Sequence, residues 1–138
     1  MTNEELMEAL NRDLAGELQA IVQYLQHSYV VLGLNRLPIS ELLEDIAEDE
    51  MKHAKALAER IVGMGGIPTV EPRPIQQSTS IREMLQYDLE AEKGALADYA
   101  QRIKEAETAG EMGTALMLED ILVDEQKHHD EFVKLLRE

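Results

Sequence analysis

Apolar residues recur along this chain at alternating steps of three and four, the spacing that gathers side chains on one face of an α-helix. The first stripe runs through Met7, Leu10, Leu14, Glu17, Ile21, Tyr24, Ser28 and Val31. It begins behind Thr2-x-x-Glu5, a capping-box pattern that supplies partners to free backbone N–H groups, and breaks near Gly33 to Pro38. A second stripe, Leu43, Ile46, Glu50, His53 and Leu57, predicts a helix from about Ile39 to Val62. It stops at Gly63-Met64-Gly65-Gly66, which is no phosphate loop because no Lys-Ser/Thr follows and no strand precedes it. Ser80-x-x-Glu83 opens a third helix with Ile81, Leu85, Asp88, Glu92, Leu96, Tyr99 and Ile103 facing inward. The fourth follows the Gly110–Gly113 break, with Leu118, Ile121, Leu122, Glu125, His128, Phe132 and Leu135 on its inner face.

The breaks differ in length, and length sets the topology. Helices of roughly 24 residues span roughly 36 Å. Short breaks after the first and third helices imply two antiparallel hairpins. Residues 64–80, MGGIPTVEPRPIQQSTS, hold three of the four prolines and cannot continue a helix. Extended, that segment reaches roughly 55 Å, enough to run the length of the bundle. The expected fold is an all-α four-helix bundle in one domain: hairpin 1–63, crossover 64–80, hairpin 81–138.

Composition narrows the function. With 13 Lys and Arg against 28 Asp and Glu, the net charge is −15, which repels phosphate backbones and anionic lipid. No nucleic-acid or membrane partner is expected. The absence of cysteine excludes disulfides, thiol catalysis and thiolate metal sites. Met1 leads into polar Thr2-Asn3-Glu4-Glu5 and no apolar run reaches membrane-span length, so a cytoplasmic location is expected.

The two hairpins repeat each other. Residues 43–53, LEDIAEDEMKH, and 118–128, LEDILVDEQKH, are identical at eight of eleven positions, an offset of 75. The same offset relates Asp13 to Asp88, Glu17 to Glu92 and Tyr24 to Tyr99. Glu17, Glu50, His53, Glu92, Glu125 and His128 all fall on stripes otherwise filled by Leu, Ile and Met. A buried carboxylate needs a counter-charge. No Lys or Arg is expected on these inner positions, whereas two divalent cations would balance four carboxylates. One Glu from each of two helices plus Glu-x-x-His from each of the others is a dinuclear metal-binding pattern. Oxygen and imidazole donors suit iron or manganese, and zinc would also bind. A single Glu-x-x-His would be read as a solvated surface pair; the repeated set is not. His27 and His129 fall off the inner stripes and are expected to be solvated.

Over nearly its whole length the chain resembles the ferritin-like superfamily, and within it bacterioferritin, most closely at ELQAIVQY (17–24), DEMKHA (49–54) and DEQKH (124–128). The resemblance implies that Glu17 and His53 bind one iron, Glu92 and His128 the other, and that Glu50 and Glu125 bridge them. It implies oxidation of Fe²⁺ to Fe³⁺ by dioxygen or hydrogen peroxide, in iron storage or detoxification. Tyr24 matches a tyrosine that supplies an electron beside the centre; its repeat mate Tyr99 is expected to be a core or interface aromatic. Met51 matches a methionine that ligates haem b, one from each of two subunits. Its alternative is a dimer-contact methionine, and Glu48 puts a charge where that family's haem pocket is apolar. The resemblance further implies a homo-oligomer, from a dimer through Leu18, Val22 and Leu25 up to a 24-subunit cage. The fourth helix is expected to run out at Glu138, without the short fifth helix that lines the cage's four-fold axes. Asp45 stands where the family has an inner-surface iron-binding histidine. The alternative function is a discrete dimeric di-iron or di-manganese oxidase or peroxide reductase of rubrerythrin type that does not mineralise.

Overall fold

The computed structural model describes residues 1–137. Its helices are α1 (Asn3–Val30), α2 (Arg36–Gly63), α3 (Ile81–Thr108) and α4 (Met112–Leu136), and no strand occurs among the described residues. Glu138, the expected end of the second hairpin, lies outside the described residues. The Thr2 and Ser80 hydroxyls accept from Glu5 N and Glu83 N, the hydroxyl half of each capping box. Helix α2 starts at Arg36, three residues earlier than expected, and takes Pro38 into its first turn. A proline is tolerated there because the first N–H groups of a helix have no intrahelical partner. The helix ends where the glycines predict, and Gly65 follows at φ +90°, a conformation L side chains rarely adopt.

Side-chain pairing fixes the directions. Along α1 the residues Gln23, Glu17 and Asp13 meet Asp88, Tyr99 and Arg102 in that order, so α1 and α3 run antiparallel. Asp49 meets His128 and His53 meets Asp124, so α2 and α4 are antiparallel too. Helices α2 and α3 therefore run parallel, joined by the expected crossover. That crossover lies along α1: Ile67 O and Thr69 N bond Asn11, Arg73 N bonds Ala15 O, and Gln76 bonds Gln23 and His27.

Two apolar layers fill the bundle. One gathers Leu6, Leu10, Leu14, Leu57, Ile61 and Leu118, and the other Leu43, Ile46, Leu85 and Phe132. Between them lies a polar layer. Leu135, expected inside, is 39% exposed at the last turn of α4, while Ile21, Leu96, Ile103 and Leu122 are half-buried. No helix among the described residues is long and apolar enough to cross a membrane.

Candidate metal centre

The polar layer consists of the six residues singled out by the repeat. Glu17, Glu50, His53, Glu92, Glu125 and His128 are each at most 5% exposed, although they come from four helices. They form two groups whose ligating atoms lie within 4.8 Å of one another: Glu17, Glu50, His53 and Glu125, and Glu50, Glu92, Glu125 and His128. Glu50 and Glu125 belong to both. His53 Nδ1 sits 3.2 Å from Glu50, 3.3 Å from Glu125 and 3.6 Å from Glu17. His128 Nδ1 sits 3.1, 3.2 and 3.4 Å from Glu125, Glu50 and Glu92. The imidazoles face each other with ring centres 6.3 Å apart.

The far side of each ring is held by the opposite helix. His53 Nε2 donates to Asp124 Oδ2 at 2.8 Å, and His128 Nε2 to Asp49 Oδ2 at 2.9 Å. Such a bond fixes the tautomer that leaves Nδ1 free for a metal. Neither aspartate was singled out from the sequence; both are half-buried on helix flanks. Their recurrence at the 75-residue offset, inside the DE-x-KH string, was the available signal.

The tyrosines are exchanged in the same way. Tyr24 Oη donates to Glu92 Oε1 at 2.8 Å, and Tyr99 Oη to Glu17 Oε1 at 2.5 Å. Tyr99 is thus more than the core aromatic expected of it. Phe132 meets the Tyr24 ring edge-on at 5.7 Å. Burial pushes both phenols well above their ordinary value.

Next to the six lie two further buried polar pairs. Arg102, 6% exposed, places Nε 2.8 Å from Asp13 Oδ2 and Nη2 3.1 Å from Oδ1, and also bonds Glu105. A cation does share the interior, contrary to expectation, but its partners are Asp13 and Glu105 rather than the four glutamates. His27, expected to be solvated, is fully buried: Nδ1 lies 3.0 Å from Asp88 Oδ2 and Nε2 2.9 Å from Gln76 O. Its cover is α3 and the crossover, both remote in sequence. His129 bonds only Asp130 at the surface. Met51 is 45% exposed on the α2 flank and Asp45 is exposed.

The donor set fits a pair of metal ions. Glu17 Oε2, Glu50 Oε1, His53 Nδ1 and Glu92 Oε2 are buried without a correctly aligned hydrogen-bond partner, a costly state that metal ligation would relieve. Protons substitute meanwhile. Burial, reinforced by neighbouring carboxylates, pushes Glu17 and Glu50 up. Burial also takes Glu92 to about 8. Burial opposes charge on His53 and His128, yet the carboxylates around each outweigh it and push both well up. Burial would raise Glu125 as well, but bonds to His128 and His53 hold it below the ordinary range. A cavity of about 380 Å³ between α1 and α3 reaches Glu17, Glu50 and Glu125 and is lined by both Tyr24 and Tyr99.

A four-helix bundle with two carboxylate–histidine groups sharing two glutamates belongs to the class that carries dinuclear carboxylate centres. The family model for the ferritin-like domain matches residues 7–138. A bacterioferritin of Desulfovibrio desulfuricans is 31% identical over 125 residues, covering 90% of this chain and 70% of that one. The nutrient stress-induced DNA-binding protein of a Synechococcus species is 30% identical over 137 residues, covering 91% and 78%. A crystal structure of a ferritin-like, diiron-carboxylate protein from Bacillus anthracis is similar at a TM-score of 0.95 and 36% identity, covering 98% of this chain and 97% of that one. The chain belongs to the ferritin-like family.

Proposed function

We propose that this protein is a ferroxidase that takes up Fe²⁺ and oxidises it to Fe³⁺ with dioxygen or peroxide, serving iron storage or detoxification in the cytoplasm. The observation that carries the reading is the pair of four-residue groups sharing Glu50 and Glu125. Glu17 and His53 would hold one ion, Glu92 and His128 the other, with Glu50 and Glu125 spanning both. Four carboxylates match the +4 of two Fe²⁺ ions, and the same donors would accept manganese. When bound, the two ions supply one electron each to the oxidant.

The chain's own residues do the rest. Asp124 and Asp49 keep the imidazoles oriented with Nδ1 inward. Tyr24, held to Glu92, stands ready as an electron donor beside the centre. The apolar layers close the centre above and below. Val22 is 45% exposed and Met51 equally so, which leaves the α1–α2 face for a second copy, with haem b between two Met51 side chains as a further ligand of that dimer. A non-mineralising di-iron oxidase or peroxide reductase is the second reading, favoured by Asp45 in place of an inner-surface histidine.

Aerobic addition of Fe²⁺ to metal-free protein, followed by ferric absorbance and iron retained per chain, tests both. Soluble uptake far beyond the capacity of one dinuclear site supports storage in a cage. Oxidation that stops at two irons per chain favours the discrete enzyme. No protein-dependent oxidation sinks both, and titration with haem b followed by its absorbance tests Met51.

A further inference from the structure

The proposed centre holds two electrons in its Fe²⁺ ions, and reduction of dioxygen to water takes four. With two electrons the balance is O₂ + 2 Fe²⁺ + 2 H⁺ → H₂O₂ + 2 Fe³⁺, which releases an oxidant. Two more one-electron donors would be needed at the site to avoid that product. The chain has four tyrosines: Tyr24, Tyr29, Tyr87 and Tyr99. Among the described residues, only Tyr24 and Tyr99 donate a hydrogen bond to a glutamate of the centre. Tyr29 is 63% exposed, and Tyr87 makes no such bond.

The two buried phenols are related by the 75-residue repeat, and so are their acceptors, Glu92 and Glu17. Each reaches across from one hairpin to the terminal glutamate of the other. Both line a cavity that touches Glu17, Glu50 and Glu125, so dioxygen entering there would meet both rings. A phenol surrenders an electron readily only if its proton leaves with it, because a bare radical cation would sit in a dry interior. Each phenol already points its proton at a carboxylate oxygen, at 2.8 and 2.5 Å. A core aromatic needs no such bond, and a tyrosine kept solely for packing could be phenylalanine.

We propose that Tyr99 is a second redox-active tyrosine, acting with Tyr24 so that two Fe²⁺ ions and two tyrosines together reduce one dioxygen to two waters in a single turnover. The step rests on the ferroxidase reading and balances as O₂ + 2 Fe²⁺ + 2 TyrOH + 2 H⁺ → 2 H₂O + 2 Fe³⁺ + 2 TyrO•. The O–O bond breaks and four O–H bonds form. Two of the protons come from the phenols through Glu17 and Glu92, and two from solvent. The tyrosyl radicals are neutral, so the buried layer gains no charge from them.

The test is a single turnover of the full protein carrying two Fe²⁺ per chain, mixed with excess dioxygen. Freeze-quench electron paramagnetic resonance counts tyrosyl spins, while an oxygen electrode and a peroxide assay follow the products. The wild-type protein should consume one dioxygen per two Fe²⁺, release no peroxide and show radical on two tyrosines. Tyr99→Phe leaves the site one electron short of water, so it should release peroxide with the two iron electrons and lose the tyrosyl radical, and Tyr29→Phe should change neither. Cobalt binding to the Tyr99→Phe protein checks that its centre still assembles. The wild-type spin count needs no variant, so it decides even if that substitution fails to fold. Wild-type peroxide release, four Fe²⁺ oxidised per dioxygen, or radical confined to Tyr24 overturns the proposal while leaving ferroxidase activity standing. Absence of protein-dependent Fe²⁺ oxidation overturns the activity itself, and this step with it.

Discussion

The two hairpins offer Glu, Glu and His in the same order, yet they brace them with different side chains. Asp13 and Asp88 are repeat mates, and so are Arg102 and His27. In one corner Asp13 meets the guanidinium of Arg102; in the other Asp88 meets the imidazole of His27. Burial raises both aspartates, and the hydrogen bond to the partner pulls each back. The divergence follows the topology. The crossover runs along α1, so a residue of α1 can reach the carbonyl of Gln76, and a ring with two separate nitrogens spans Asp88 and that carbonyl. At the matching position on α3, Arg102 uses its fork on Asp13 and Glu105 instead. The likeness of the halves extends through the six central residues, the aspartates Asp49 and Asp124 and the two tyrosines, and ends at these braces.

The largest effect should fall on the shared glutamates. Glu50→Ala or Glu125→Ala removes a donor from both groups at once, so each should abolish retention of two ions per chain in cobalt or anaerobic Fe²⁺ titrations. Unequal losses would break the likeness of the halves at its centre. Next come the braces. Arg102→Ala strands Asp13, whose hydrogen bonds all go to Arg102, and should cost about 3–5 kcal/mol in urea unfolding. His27→Ala leaves Asp88 its bond from Gln23, so about 1–3 kcal/mol is expected. Equal costs would show that the difference in brace carries no energetic weight.

Smaller is the effect of the aspartates behind the imidazoles. Asp49→Ala and Asp124→Ala should each weaken metal binding about 10–100-fold in competition titrations, with no loss of fold. Smallest is a pH slope. In the metal-free protein Glu92, pushed up to about 8, and His53 and His128, pushed well up, keep protons that the unfolded chain loses. Between pH 6 and pH 8 the folded state therefore binds more protons, and stability falls as pH rises. Glu125, held low, is ionised in both states over that window and adds nothing. The melting temperature should drop from pH 6 to pH 8 without metal and stay level with it, and Glu92→Gln should flatten the drop.

The bundle and its six central residues were legible because periodicity and repetition are properties of the sequence. Glutamates recurring at fixed spacing inside leucine stripes state their burial without any structure. His27 was not legible: Gln26 and Ser28 beside it are polar, and what buries it arrives from Gln76 and Asp88. Arg102 was missed for the same reason, since its partner Asp13 lies 89 residues away. Asp49 and Asp124 sit on flanks and act only on the neighbouring helix, a relation that exists only after packing. Helix α2 began early because a proline signals a break in sequence while being harmless in a first turn.

Each group of four takes three candidate ligands from one hairpin and its last from the other: Glu125 completes the first set and Glu50 the second. Neither hairpin can assemble a full set by itself. The crossover is the one covalent tie between them, and it turns what would be an encounter of two molecules into an internal rearrangement with a high effective concentration. Cut at that tie, the same residues would hold metal only as tightly as dilution allowed.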